Sequence, residues 1–429
     1  MTDDAPPPKS GSELRAALFG SADGSDSNGE SGGDHETPES AKTESSESGP
    51  SGATRFGAAQ SAIASFVAVN PEYQGAAGPL AKIVFVNMLL NLITLGIYRF
   101  WGKTRLRDYI WSHLRFHDEN FEYSGTGKEL FFGFLFALAV LTPIVIGFSF
   151  IGLAVPDPTV QVLFAFLQGL FFLFLFQFAI YRARRYRMSR TQWRGIRAGQ
   201  VGAATRYAFK AMGYMLLTAL TLGLAYPWMH TALERYKVEN TQFGDRPFSF
   251  EGAGKALFPT WFVCWVLMAP TLGLSYFWYR AAAFRYFTGC TRYEGLKFDS
   301  DITGGQIFRV YFILGLYAFA LLMAVGILTV FPVTLLGANA EGFDAFMQDP
   351  EANPGVYLAF IAVAGIGVLA AMAAFPVLIV LFLTQRMIAL HCHSVSVTGD
   401  IDFDAIRQSA LAAPTRGEGF ADALDVGGV

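Results

Sequence analysis

Seven runs of apolar residues follow residue 80, at 80–98, 130–153, 160–181, 207–227, 256–277, 308–334 and 356–383. A hydrocarbon core of about 30 Å takes about 20 residues of helix at a rise of about 1.5 Å each, so runs of this length can cross it. They are apolar on every side and not along one stripe, which is the pattern of helices facing lipid. Composition agrees, because 52% of residues are hydrophobic and only 16% are charged. The expectation is an all-α integral membrane protein with about seven transmembrane helices.

Charge is unevenly placed outside the runs. Residues 1–54 are mostly Ser, Gly, Glu, Asp and Pro, which cannot bury enough apolar surface to offset chain entropy, and they are expected to form a disordered acidic tail. The opening Met1-Thr2-Asp3-Asp4 has neither the basic nor the apolar region of a signal peptide, so insertion is expected through the first apolar run. Residues 55–79 read as a short pre-membrane segment, 80–409 as a polytopic membrane domain and 410–429 as a flexible C-terminal tail. A net charge of −3 argues against nucleic acid as a partner, since binding it takes a basic field. Cys264, Cys290 and Cys392 lack CxxC spacing, which gives neither a disulfide framework nor a zinc signature.

A repeat emerges when the chain is aligned on Phe116, Trp193, Phe243 and Tyr293. Twenty-two residues before three of these anchors lies Thr94, Thr221 or Thr271, each opening a Thr-Leu-Gly triplet; the second copy lacks it. Fifteen before lies Trp101, Trp228 or Trp278, with Phe178 in the second copy, and seven before lies Tyr109, Tyr186, Tyr236 or Tyr286. Eleven after comes Gly127, Gly254 or Gly304. The copies span about 94–131, 171–209, 221–258 and 271–308, with a faint fifth near 375–405.

Each copy reads as a membrane helix ending at Thr-Leu-Gly, an interfacial amphipathic helix, then short strands and a Gly-rich turn. At about 100° per residue, offsets of eight and seven bring the three rings into one stripe. Arginines run between the rings. Rings at headgroup depth with cations reaching phosphates suit a helix lying in the membrane plane, so membrane lipids are the expected partner. The lipid and interface candidates are Trp101, Arg105, Arg107, Tyr109, Arg185, Tyr186, Trp228, Arg235, Tyr236, Trp278, Arg285 and Tyr286. Gly252-Ala253-Gly254-Lys255 lacks the length and the following Ser or Thr of a phosphate loop.

This arrangement resembles the YjgN-like family of bacterial inner-membrane proteins, a group of unknown function. The resemblance rests on Phe85-Val86-Asn87-Met88-Leu89-Leu90-Asn91-Leu92-Ile93-Thr94-Leu95-Gly96-Ile97-Tyr98, on Trp101-Gly102-Lys103 and Arg105 through Tyr109, and on Pro227-Trp228 and Arg235-Tyr236. It covers roughly residues 66–400 and implies a bacterial inner-membrane location with several crossings. The second copy and the long acidic tail depart from the pattern.

Short loops rich in Lys and Arg stay cytoplasmic. Segment 182–210 has nine basic residues and no acid, and segment 99–128 has six basic residues, so both are expected inside. The connections at 154–159 and 336–356 have no Lys or Arg and are expected outside. Seven spans then give a cytoplasmic C-terminus and an outside N-terminus. Simple alternation puts copy three outside, and its near-neutral charge favours that reading. Re-entrant helices at 207–227 and 256–277, helped by Pro259 and Pro270, are the competing solution.

No ionisable residue lies clearly mid-span, which lowers proton relays and ion-coupled carriers. Asn87 and Asn91 share one helix face, and with Gln168 and Gln177 they form either interhelical hydrogen bonds or a candidate polar path. His391-Cys392-His393 is the one cluster with ligand chemistry, but no second ligand pair completes a metal site; His113 and His230 stand alone. No catalytic constellation, cofactor or metal is expected. The leading reading is a non-enzymatic membrane protein engaging lipid headgroups or organising partners. A channel or uncoupled transporter for a small solute is the alternative, and a lipid-acting enzyme the third.

Overall fold

The structure is a computed structural model, and residues 69–335, 354–410 and 419 are described. The acidic tail at 1–54, most of the 55–79 segment and nearly all of the 336–356 connection and the 410–429 tail lie outside the described residues.

One motif recurs along the chain: a helix, a second helix, and a β-hairpin whose last strand leads into the next helix. After β1 (Glu72–Tyr73), the first unit has α1 (Ala77–Ile93), α2 (Arg99–Ser112), β2 (Leu114–Phe116), β3 (Glu119–Asn120) and β4 (Glu122–Tyr123). The second has α3 (Gly127–Ala154), α4 (Pro158–Arg190), β5 (Thr191–Trp193) and β6 (Ile196–Gln200). Then come α5 (Ala204–Leu220), α6 (Tyr226–Glu239), β7 (Thr241–Phe243) and β8 (Arg246–Phe250). The fourth holds α7 (Gly254–Val266), α8 (Ser275–Cys290), β9 (Thr291–Tyr293) and β10 (Leu296–Ser300). Last are α9 (Gly304–Leu335), α10 (Pro354–Leu378), a π-helical stretch Ile379–Thr384, α11 (Gln385–Ser394) and β11 (Val395–Thr398).

The strands close into a ring. From β4 to β11 each strand pairs antiparallel with the next. β4 continues from β3, which pairs with β2, and β2 pairs with β1. Val69, just before β1, bridges Val397 in β11, with N–H to carbonyl bonds of 2.9 and 3.0 Å. The N-terminal strand thus supplies the second strand of the fifth unit. Among the described strands, closure leaves no free edge for further pairing.

Each anchor aromatic is the last residue before a two-residue turn: Phe116 opposes Glu119, Trp193 Ile196, Phe243 Arg246 and Tyr293 Leu296. Their rings pass from neighbour to neighbour, with centroids 5.5 Å apart for Phe116 and Trp193, 5.8 Å for Trp193 and Phe243 and 6.2 Å for Phe243 and Tyr293. Phe403, beyond β11, lies 5.0 Å from Trp193. Side chains from every part of a closed ring can meet only in its interior, so these residues, with Leu296, Val397 and Ile406, are its core.

Three of the helix pairs are antiparallel hairpins in contact along their length. In the first, Asn87 Nδ2 donates to the Gly102 carbonyl at 3.1 Å near the middle, and the Tyr109 hydroxyl reaches Ala76 at the base. Thr-Leu-Gly makes the reversal. The Thr94, Thr221 and Thr271 hydroxyls donate to carbonyls four residues back and accept the backbone N–H four residues on, so one side chain ties both helix ends. Leu95, Leu222 and Leu272 follow at φ of 51°, 51° and 50°, then Gly96, Gly223 and Gly273 at 90°, 93° and 84°. Two consecutive left-handed residues turn the chain back, and the glycine N–H caps a carbonyl five residues earlier.

These observations correct several expectations. The architecture is mostly helical but not all-α. Among the described residues, four helices are long and apolar enough to cross a membrane: Gly127–Ala154, Pro158–Arg190, Gly304–Ile327 and Ile361–Ser394. The other three apolar runs, 80–98, 207–227 and 256–277, are interrupted: Thr-Leu-Gly ends the helix at Ile93 and Leu220, and in the third run the helix ends at Val266, a turn ahead of Thr271-Leu272-Gly273. Alternation of copy three also fails: β6, β7, β8 and β9 are consecutive neighbours, so copies two, three and four share one face. At 207–227 and 256–277 the chain turns back toward the sheet, the path that the competing solution requires. Val69 and β1 join the same ring as β11, so the described N-terminal residues lie on the face of the C-terminal strand, not opposite it.

Candidate functional site

Within the ring of units, a cavity of about 520 Å³ lies between α6, α8 and α11, floored by Phe248 and Phe298 of the ring. Its walls follow from the repeat. At 17, 13 and 9 residues before the anchor, three positions fall four apart on one helix face. In the third unit they are Tyr226, His230 and Glu234, and in the fourth Tyr276, Arg280 and Phe284, all lining the cavity. His391 comes from α11.

Aromatic rings form most of the wall. The Tyr226 and Tyr276 hydroxyls are 3.3 Å apart, Phe287 meets the His230 ring edge-on at 4.7 Å, and Phe284 meets His391 at 4.5 Å. His230 Nδ1 is 3.2 Å from the Tyr279 hydroxyl, and burial pushes its imidazole down to about 4. Burial alone would raise the Glu234 carboxyl, but the adjacent Lys237 ammonium, together with Arg184 and His230, holds it below the usual carboxylate range. The Arg280 guanidinium donates to the Tyr311 hydroxyl at 2.8 Å. His391 Nδ1 is bonded to the Met387 carbonyl at 2.6 Å, while His393, two residues on, is exposed. Among the described residues no group of three or more His, Cys, Asp or Glu could hold a metal ion.

His230, expected to stand alone, therefore shares a cavity with Glu234, Arg280 and His391. The last two lie more than 100 residues apart in sequence, and no local spacing joins them. The signal that could have found the wall is the four-residue stripe ahead of each anchor.

The interface candidates fall into two groups. Tyr109, Tyr236 and Tyr286 are clamps: each hydroxyl both accepts the N–H and donates to the carbonyl of the residue before its own unit's first helix, Ala76, Ala203 or Ala253. Tyr186 instead donates to Glu129 Oε2 at 2.7 Å, and Glu129 also pairs with Arg190 at 2.8 Å. Arg235 and Arg285 hook the loop carbonyls of Gly252 and Ile302. Arg107 is 1% exposed and donates to the Tyr123 hydroxyl at 3.2 Å. Arg105 and Arg185 are exposed. Trp101 is half-buried and Trp228 and Trp278 are exposed at 39% and 51%; each indole covers the glycine that starts the next unit. A Cβ on Gly127, Gly254 or Gly304 would lie 2.7, 2.8 or 2.8 Å from that tryptophan.

The candidate polar path divides between units. Asn87 and Asn91 lie on α1, each with a buried side-chain oxygen lacking a hydrogen-bond partner. Gln168 and Gln177 lie on α4, where Gln177 Nε2 reaches the Met215 sulfur on α5 at 3.8 Å.

Residues 69–271 match a family described as bacterial protein of unknown function (DUF898). The inner membrane protein YjgN of Salmonella typhimurium (strain LT2) is 35% identical over 68 residues, 16% of this chain and 17% of that protein's length. No solved structure matches. Over residues 69–271, the segment holding the first three units of the ring, the chain is thus similar to a family of bacterial proteins of unknown function, and it spans about a sixth of the length of the YjgN protein that it matches.

Proposed function

We propose that the chain is a non-enzymatic, multi-pass protein of the bacterial inner membrane, built from one duplicated unit, whose helix hairpins engage anionic lipid headgroups on the cytoplasmic side. The inner-membrane assignment of its relative and its own long apolar helices support the location. The sheet ring and the C-terminus face the cytoplasm in this reading, because the basic segments 99–128 and 182–210 both belong to the ring side.

One observation carries the lipid reading. The start of each new unit, Gly127, Gly254 or Gly304, sits on the Trp near the tip end of the preceding inner helix, while the Tyr clamps hold each pair's base. The Thr-Leu-Gly tips of these pairs carry exposed Leu95, Leu222 and Leu272, at 92%, 79% and 93%, which in this reading dip into lipid and leave Arg105 and Arg185 at headgroup level.

Native mass spectrometry from nanodiscs mixing phosphatidylglycerol and phosphatidylcholine tests this. Wild type is expected to retain phosphatidylglycerol preferentially, and R105Q/R185Q to lose that preference several-fold; equal retention by both proteins sinks the reading. The cavity inside the ring favours a second reading, an uncoupled solute path, which requires the aromatic ring core to open.

A further inference from the structure

The cavity carries an unbalanced charge. Among the described residues Glu234 is the sole carboxylate in its wall, and it is already paired with Lys237 and faces Arg184. Arg280 bonds the Tyr311 hydroxyl and lies against that ring at 5.8 Å, and among the described residues it has no carboxylate partner. A half-buried cation without an anion is an electrostatic cost that a ligand can remove.

Nor does the fold require an arginine there. The same position, 13 residues before the anchor, is His230 in the third unit, Ile180 in the second and Lys103 in the first. The ring therefore forms with a cation, an imidazole or an aliphatic side chain at this place. What distinguishes the fourth unit is that its cation enters a chamber walled by Tyr226, Tyr276, Phe284 and Phe287 and floored by Phe248 and Phe298. At about 520 Å³ the chamber has the size of a small-molecule site. Its walls offer ring faces to an apolar body and one guanidinium to an anionic group, which a planar donor fork binds well.

We propose that this cavity binds an organic anion, a carboxylate or phosphate monoester carried on an aromatic or aliphatic body, with Arg280 as its charge partner. The site is separate from the rim residues Arg105 and Arg185, and the inference does not rest on headgroup binding there. The anion can come from a membrane lipid or from a soluble acid, and both present the same chemistry.

The test uses the full chain in phosphatidylcholine nanodiscs, with thermal unfolding followed by tryptophan fluorescence. Phenyl phosphate and benzoate are expected to raise the midpoint by several degrees, while benzylamine, the same ring with a cation, leaves it unchanged. R280Q abolishes the shift, R280K keeps part of it, and A283F, which fills the chamber and retains the cation, abolishes it. If R280Q fails to fold, loss in A283F with retention in R280K decides in favour. No shift in wild type, an equal shift with benzylamine, or an undiminished shift in A283F or a folded R280Q overturns the proposal. Native mass spectrometry in phosphatidylglycerol nanodiscs separates the sources. One lipid lost in R280Q but kept in R105Q/R185Q marks a lipid in the chamber, whereas ligand-induced stabilisation without such a lipid marks a soluble acid. Lipid lost only in R105Q/R185Q belongs to the rim.

Discussion

Tyrosine at a fixed place does structural work that its chemistry suits. A ring long enough to cross from one helix to its partner carries a hydroxyl that both donates and accepts, so one side chain satisfies an N–H and a carbonyl at a helix start with no other side-chain cap. Tyr236→Phe and Tyr286→Phe are each expected to destabilise the protein by about 1–2 kcal/mol, since two backbone groups lose a partner. Unfolding in detergent by denaturant measures this, and wild-type stability in both variants contradicts the clamp. His230 gives a pH signature. Its ordinary value is 6.5 and the fold lowers it to about 4, so the unfolded chain binds more protons between those values. The stabilisation is complete above about 6.5 and is lost as pH falls toward 4. His230→Gln should flatten that part of the stability profile, and an unchanged slope would show that the imidazole is not held neutral.

At the scale of elements, the reversal at Thr-Leu-Gly decides which apolar runs become crossings. Leucine at positive φ is strained by about 1–3 kcal/mol, and it persists at three turns because the threonine ties and glycine caps around it fix the path. Gly223→Ala puts a second Cβ at φ of +93°, 3.1 Å from the Trp265 indole nitrogen, and should cost about 1 kcal/mol or more. Thr221→Val removes the tie between α5 and α6 and should act in the same direction by about 1 kcal/mol. Melting temperatures of both variants test the turn; a neutral pair would mean the hairpin is held by packing alone. The triplet was legible in the sequence as a helix end. Its meaning as a reversal was not, because a helix that stops at Gly96 or Gly223 can be followed by a chain leaving in any direction until the partner helix is known.

For the whole molecule, ring closure is the feature with the widest consequences. It places all units on one face, encloses the aromatic core and creates the chamber. It also predicts that Val69→Cys and Val397→Cys, in a background lacking Cys264, Cys290 and Cys392, cross-link under mild oxidation, because antiparallel neighbours bring their Cβ atoms close. A band of altered mobility after electrophoresis is expected, and its absence at any oxidant concentration would open the ring. The C-terminal segment reinforces closure by crossing the hairpin tips: Arg407 N–H meets Asp245, Gln408 accepts from Arg197 N–H, and Gln242 donates to Ser409.

By itself the sequence determined the apolar elements, the recurrence of Trp, Tyr and aromatic anchor at fixed offsets, and the short strands after each anchor, because these are local signals carried by side-chain type and period. It pointed to the family resemblance on the same residues. Only the tertiary structure decided that Val69, ahead of β1 and the first helix, closes onto β11, that copy three lies beside its neighbours, and that His230, Arg280 and His391 share a wall. Those outcomes depend on hydrogen bonds and contacts between residues far apart along the chain, and such pairings leave no periodicity for a single sequence to reveal.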